Sequence, residues 1–482
     1  MTLGPAIPRA TGDWSVALES LDTERPEPVD IVTSGHLPPE LAGGTLYLVG
    51  PAGHDVHGSR GASWLDGDGM VHAVRLSAGA GVGPRPGPGT ATYQSRFVAT
   101  RKKAKEDRAG RRLYATLGAP APGGAVARLW RSRPQSPANA GVVSHDGRLF
   151  ALWDGAPPYE LDPDTLQTRG RHDLDGLLRG RDGFASAPVV DPDTGDLWNL
   201  GGRPGRRLRI GLYHWPRGGH PRLVTSVRLP YRTVVRSFAL TPTRAVFALS
   251  PLVARLSPAV ALGQRPLTKM LRWRPELGSP VGIIDRATGA CRWVPVPPLV
   301  VSAVAQAYDD VDTGELVVDL STYPDAGMIG ATTDMMQGTL TAKGYATLER
   351  LRFGPRGLVE RSLLPPLDWP AVATPHTPGP DARIYGINLN PMAGFPGTLA
   401  AVHVGTGKVD WVPPLAHEVA SPPVAVHRGR PWVFTVVTDL AARTSEVRVL
   451  DGDRVGEPAL FTAQLPCVVP FGARGCWVDQ RK

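Results

Sequence analysis

Apolar and polar residues alternate in short runs along almost the whole chain, and a turn rich in Asp, Gly or Pro closes each run. The run MVHAVRL at 70–76 follows two Asp-Gly pairs in WLDGDG at 64–69. Asp accepts hydrogen bonds from its own following backbone and Gly takes positive φ freely, so this spacing predicts a tight turn feeding a half-buried strand. The rhythm returns in NAGVVSHDGRLFALWDGAPPYELDPDTLQT from 139, where HDGR reads as a hairpin turn and RLFALW as an inner strand. It returns again in GFASAPVVDPDTGDLWNLG at 183–201, YRTVVRSFALTPTRAVFALSP at 231–251, SAVAQAYDDVDTGELVVDLSTY at 302–323 and HRGRPWVFTVVTDLAARTSEVRVLDG at 427–452. Long amphipathic helical patterns are scarce. The pattern predicts an all-β fold, and taken alone it fits an array of sandwiches as well as a closed ring of sheets.

Composition narrows this picture. Glycine (56) and proline (50) make up about a fifth of the 482 residues, which suits many short strands joined by tight turns. The formal charge is +9, but the arginines are scattered. The one dense cluster, RKKAKEDRAGRR at 101–112, contains acids and no interleaved aromatics, so it reads as a solvated loop and no nucleic-acid partner is expected. Cys291, Cys467 and Cys476 form no CxxC pair and no disulfide framework, as in a reducing compartment. The N-terminus lacks a charged start followed by an apolar core, and no apolar run is long enough to span a bilayer. A cytoplasmic protein is expected. The Pro-rich residues 1–30 read as a segment wrapping the outside of a single domain over 31–482. Residues 250–278 interleave apolar side chains with Arg255, Arg265, Lys269, Arg272 and Arg274, a pattern that fits either peripheral contact with an anionic membrane or a loop packed on the fold.

The order GGTLYLVGP at 43–51, WLDGDGMVHAVRL at 64–76 and RFVAT at 96–100 resembles the N-terminal signature of the carotenoid cleavage oxygenases. The likeness continues through RLFALWDG and extends over about residues 31–480. It implies a seven-bladed β-propeller with a loop and helical cap over the substrate face, and a central ferrous iron held by four histidines. It also implies that residues 250–278 border an apolar entrance used to take up lipid-like substrates. One departure comes early: Leu48 and Val49 stand where the family carries Arg-Asn before Gly-Pro.

The larger departure is at the iron. The family's first ligand lies in a Thr-Ala-His-Pro segment, and here Ala185-Ser186-Ala187-Pro188 puts Ala187 in its place. The second lies in His-Asp-Phe followed by an apolar pair and Thr; here Arg236 opens Arg236-Ser237-Phe238-Ala239-Leu240-Thr241. The third follows Phe and precedes Asn-Ala-Tyr-Glu; here Ala303 precedes Gln306-Ala307-Tyr308-Asp309. The fourth lies in Gly-Phe-His-Gly before a Trp; here Gly472-Ala473-Arg474-Gly475-Cys476-Trp477 supplies Arg474. Neither alanine nor arginine ligates ferrous iron, so the expectation is no family-type metal and no cofactor. The glutamates that orient the family's imidazoles match Asp154, Asp368 and Pro422.

Arg236 and Arg474 are therefore expected to point toward the axis near Asp154 and Asp368. Arg–Asp pairs would plug the old metal site, because a buried guanidinium demands a partner. Alternatively, an arginine fork would bind a carboxylate, enolate or phosphate on a ligand. Asp154 or Asp368 would then serve acid–base chemistry, with Tyr308 as a candidate proton donor, while Cys476 reads as a small buried residue. The leading expectation is a metal-independent isomerase, cyclase or lyase. Its substrate would be an apolar conjugated molecule, such as a terpenoid, polyene or polyketide, with or without an anionic group. A non-catalytic binding protein for such a ligand is the alternative. A dioxygenase with relocated iron ligands, such as His403 or His417, is the third reading.

Overall fold

The computed structural model describes residues 14–79, 87–255, 264–339, 345–373, 378–390, 395–413, 415 and 417–479. Seven antiparallel sheets form the blades of a propeller. Blade 1 runs from the outside inward as Arg25–Ile31, Gly87–Phe97, Asp68–Gly79, Thr45–Gly53 and Arg474–Val478. Blades 2 to 6 follow in chain order, each with its innermost strand first: Gly141–His145, Val189–Val190, Ala239–Leu240, Val300–Asp309 and Asp368–Ala371. In blade 7, Glu418–Ala420 and Val424–Arg428 both pair with Arg430–Asp439, and Thr33–Gly35 forms the outer edge. N-terminal strands thus close on both blade 7 and blade 1, and the C-terminal strand Arg474–Val478 completes blade 1 from inside, which locks the ring without free edges between its ends.

One apolar cluster fills each of the seven interfaces between neighbouring blades. Because side chains alternate across a strand, Tyr47 and Val49 face blade 2 while Leu46 and Leu48 face blade 7. This explains why LYLV is continuously apolar: both faces of the strand are buried. An eighth cluster, built from Trp14, Val16, Leu18, Trp64, Met335, Phe395 and Phe471, lies among the connections and forms the apolar part of the cap. The outer turns recur chemically. Asp162, Asp191, Asp285 and Asp310 each use one carboxylate oxygen to accept the N–H groups two and three residues on, which is the physical content of the repeated Asp-x-x-Thr pattern.

Several expectations change. HDGR does form the hairpin turn, with Asp146 at φ 49° and Gly147 at φ 70°. WLDGDG does not turn by glycine φ: Trp64–Asp66 is a 3-10 helix with a Ser63–Asp66 capping box, and Gly67 has φ −59°. Its glycines serve close approach instead, since a Cβ on Gly69 would meet the Ala138 carbonyl oxygen at 2.2 Å. The 101–112 cluster is largely solvated as expected, but it is a helix and not a loop, and two of its residues are buried. Thr100 caps a helix over Arg101–Ala109, and Lys102, 6% exposed, pairs with Asp68 at 2.7 Å and Glu106 at 2.9 Å. In the 1–30 segment, Trp14–Leu18 joins the cap and Arg25–Ile31 joins blade 1, so propeller strands begin before residue 31. Within 250–278, Leu252–Ala254 pairs with Leu271–Trp273, and Arg255, Arg265, Lys269, Arg272 and Arg274 are exposed; 256–263 lie outside the described residues. No described helix is long and apolar enough to cross a membrane.

Candidate functional site

The residues singled out by the motifs converge where the inner strands begin. Ala187 lies just before Val189–Val190, Arg236 just before Ala239–Leu240, and Ala303 within Val300–Asp309, while Asp368 and Arg474 open their strands. Asp154 follows Arg148–Leu152 and ties three blades together. It accepts the Ser186 N–H at 2.8 Å and pairs with Arg236 Nε at 2.9 Å. The Arg236 side chain nevertheless keeps 42% of its surface accessible. Ala187 and Ala303 are also partly accessible, so their small side chains border open space.

Asp368 is 1% exposed and is not held by an arginine. Its Oδ1 accepts from Ser302 Oγ at 2.6 Å, Ser321 Oγ at 3.1 Å and the Trp369 N–H at 2.8 Å, and the Tyr323 hydroxyl donates to Oδ2. Trp369 holds φ 46°, a conformation uncommon for an aromatic residue and stabilised here by that bond to the neighbouring carboxylate. Its ring packs edge-on against Trp64 and Phe471, so the apolar cap meets the polar cluster at this residue.

Arg474 is the exception. It lies within electrostatic reach of Asp368, Asp154, Arg236 and Tyr323, yet its guanidinium makes no hydrogen bond or ion pair with any described residue. The residue is half-buried, and desolvation, reinforced by repulsion from Arg236 and opposed by Asp368 and Asp154, pushes it down to about 10, so it stays charged at neutral pH. The two carboxylates balance the two guanidiniums in formal charge but not in contact. Of the two expected Arg–Asp pairs, Arg236–Asp154 forms and Arg474–Asp368 does not.

Tyr308 does not belong to this cluster. It lies five residues along its strand from Ala303, up to about 17 Å away, and its ring stands beside Arg350, which pairs with Asp319. The axial hydroxyl is that of Tyr323, with Tyr345 nearby donating to the Ile387 carbonyl at 3.2 Å. Burial and the Asp368 charge push both phenols well above their ordinary range, so both stay protonated. Period two in VVDLSTY was the available signal, because it places Ser321 and Tyr323 on one face. Cys476 is half-buried rather than buried, and desolvation pushes its thiol up to about 12, so it stays protonated at neutral pH.

Ala187, Arg236, Ala303 and Arg474 offer no metal donor, and no group of three or more His, Cys, Asp or Glu among the described residues is arranged to hold a metal ion. His403 faces Asp410 and His417 faces Asp439. The donor set does not fit a four-imidazole iron centre.

Comparison with known proteins places this architecture. The chain is 26% identical over 493 residues to an apocarotenoid-15,15'-oxygenase of Synechocystis, covering 97% of this chain and 96% of that protein. It is 27% identical over 492 residues to resveratrol cleavage oxygenase 1 of Aspergillus fumigatus, covering 93% and 91%. The solved structure of a variant Synechocystis apocarotenoid oxygenase superposes with a TM-score of 0.83 at 22% identity, over 97% of this chain and 98% of that one. A cobalt-substituted form of the same enzyme gives 0.83 at 23% identity, over 97% and 98%. The model of the retinal pigment epithelial membrane protein family matches residues 18–479, so the chain belongs to that family, the carotenoid cleavage oxygenases.

Proposed function

We propose that this family member acts without iron, as an isomerase, cyclase or lyase on an apolar conjugated ligand bearing a carboxylate or developing an enolate oxygen. The observation that carries the reading is the charged, unpartnered guanidinium of Arg474 within electrostatic reach of Asp368, Asp154 and Arg236, on a set of inner strands where Ala187 and Ala303 are partly accessible. A guanidinium out of bulk water binds an oxyanion strongly and bidentately, and it stabilises charge that builds up on oxygen during enolisation. Tyr323 offers a protonated hydroxyl from the same cluster, held by Asp368. The aromatic cap of Trp64, Trp369 and Phe471 suits an apolar, conjugated body.

A non-catalytic binding protein is the second reading. It is favoured by the occupancy of both carboxylates: Asp154 is engaged by Arg236 and Asp368 by four donors, which leaves neither free as a base.

The test compares all-trans-retinoic acid with all-trans-retinol by quenching of tryptophan fluorescence, in wild type and Arg474→Met. Tighter binding of the acid by at least about tenfold, abolished in the variant, is expected for a charge-assisted contact of about 1.5–3 kcal/mol. Equal affinities in wild type would overturn the anion-binding reading. Oxygen-independent turnover of bound polyenes then separates enzyme from binder.

A further inference from the structure

A second concentration of positive charge lies apart from the axis. The connection between blades 2 and 3 and the hairpin within blade 3 line an open cleft of about 930 Å³, bordered by Arg179, Arg181, Arg203, Arg206, Arg207 and Arg209, with Asp182 as the single acid. The walls are built rather than merely crowded. Arg171 donates to the Gly180 carbonyl at 3.0 Å. Arg232 donates to the carbonyls of Gly205 at 3.1 Å and Arg206 at 3.2 Å. Asp182 accepts the Arg179 N–H at 3.1 Å and lies 3.6 Å from Arg203, and Arg209 is bonded to Ser226. These contacts tie each loop to its own surroundings, the Asp182–Arg203 ion pair links the two, and Arg203 and Arg209 are thereby occupied. Among the described residues, the solvent-exposed side chains of Arg179, Arg181, Arg206 and Arg207 are left with no acidic or hydrogen-bonding partner in the protein.

We infer that this cleft is a binding site for a phosphate-bearing anion of the diphosphate class. Like charges repel, so a fold that holds four unpartnered guanidiniums around one cavity gains from an anion able to engage several at once. A carboxylate has two oxygens and one charge. A diphosphate has more oxygens and more charge, and guanidinium forks match phosphate oxygens bidentately. The cleft shares no lining residue with the axial cluster, and the segment from Asp182 to Ala187, whose backbone pairs with Leu197–Arg203, leads from one to the other.

The test titrates inorganic pyrophosphate into the full chain by calorimetry at physiological salt. It is run with wild type, an Arg206→Ser/Arg207→Ser variant and a charge-matched Arg108→Ser/Arg454→Ser variant remote from the cleft. The exposed Arg206 and Arg207 side chains hold no structural contact, so folding is retained, which thermal melting checks. The expected result is one pyrophosphate per chain, weakened about tenfold or more by the cleft variant and less than about threefold by the control. In a second arm, vesicles of phosphatidate in phosphatidylcholine are compared with phosphatidylcholine alone. Binding of phosphatidate vesicles but not pyrophosphate, with the same dependence on Arg206 and Arg207, overturns the diphosphate assignment in favour of the phosphate monoester of a lipid headgroup. No binding of either probe, or equal weakening by both variants, overturns the site.

Discussion

The unpartnered Arg474 makes a prediction opposite in sign to that of a structural plug. A guanidinium held at about 10 rather than at its ordinary value, on a residue that is only half-buried, is disfavoured in the folded protein by on the order of 1–3 kcal/mol at neutral pH. Its pKa in the fold lies below that in the unfolded chain. The penalty is therefore fully present below pH 10 and is relieved as pH rises through and beyond that value. Methionine fills a similar length of side chain without charge, so Arg474→Met removes the penalty and leaves little cavity. With an unfolding entropy of about 2.1 cal/mol/K per residue over 482 residues, this amounts to a rise in Tm of about 1–3 °C, read by calorimetry at pH 7. The same variant is expected to lose its preference for anionic ligands. A protein that is more stable and no longer binds is the signature of an arginine kept for a ligand. If Arg474→Met instead lowers Tm by several degrees, the arginine is a structural plug with partners in solution, and the anion-binding argument fails.

Other outcomes follow from the same structure. Tyr323→Phe takes one donor from the buried Asp368 carboxylate and is expected to destabilise by about 1–3 kcal/mol, whereas Tyr308→Phe should change stability by less than about 0.5 kcal/mol and leave ligand binding intact; comparable effects of the two on binding would place Tyr308 in the site. Gly69→Ala should destabilise by more than about 2 kcal/mol in urea unfolding, because its Cβ would sit 2.2 Å from the Ala138 oxygen, and a neutral result would return that glycine to an ordinary turn role. His72, pushed down to about 4 by burial, binds its proton more readily in the unfolded chain, so stability falls as pH drops from about 6.5 toward 4. His72→Gln should flatten that slope by up to about 1.4 kcal/mol per pH unit, and an unchanged slope would show that the imidazole is not the group titrating.

The all-β class was legible because its signals are local and repeated, period-two strands and Asp-x-x-Thr turns recurring regardless of long-range context, whereas the closed seven-bladed ring was legible only through the motifs that resemble the family. The convergence of Arg236, Arg474, Asp154 and Asp368 was legible only through their motif neighbours, which fix each residue to the start or end of a strand. Their pairing was not legible. Whether Arg474 meets Asp368 depends on Ser302, Ser321, Tyr323 and the Trp369 N–H having already taken the carboxylate, and those donors come from two blades. Tyr308 was misplaced because adjacency to a motif was read as adjacency to the axis, although a strand carries a residue five positions on well away from it. The helix at Arg101–Ala109 was missed because Lys102 and Glu106 read as solvent-facing, and only the buried Asp68 on another strand makes their burial tolerable.

The most direct measurement is the iron content of the chain. Protein expressed in iron-supplemented medium and then incubated anaerobically with ferrous iron would be desalted and analysed for metal. An axial site of two alanines and two arginines predicts well under about 0.1 iron per chain and an unchanged Tm, since no ion is bound to stabilise the fold. Near-stoichiometric iron accompanied by a rise in Tm would contradict the account and restore an iron-dependent oxygenase with ligands drawn from elsewhere in the chain.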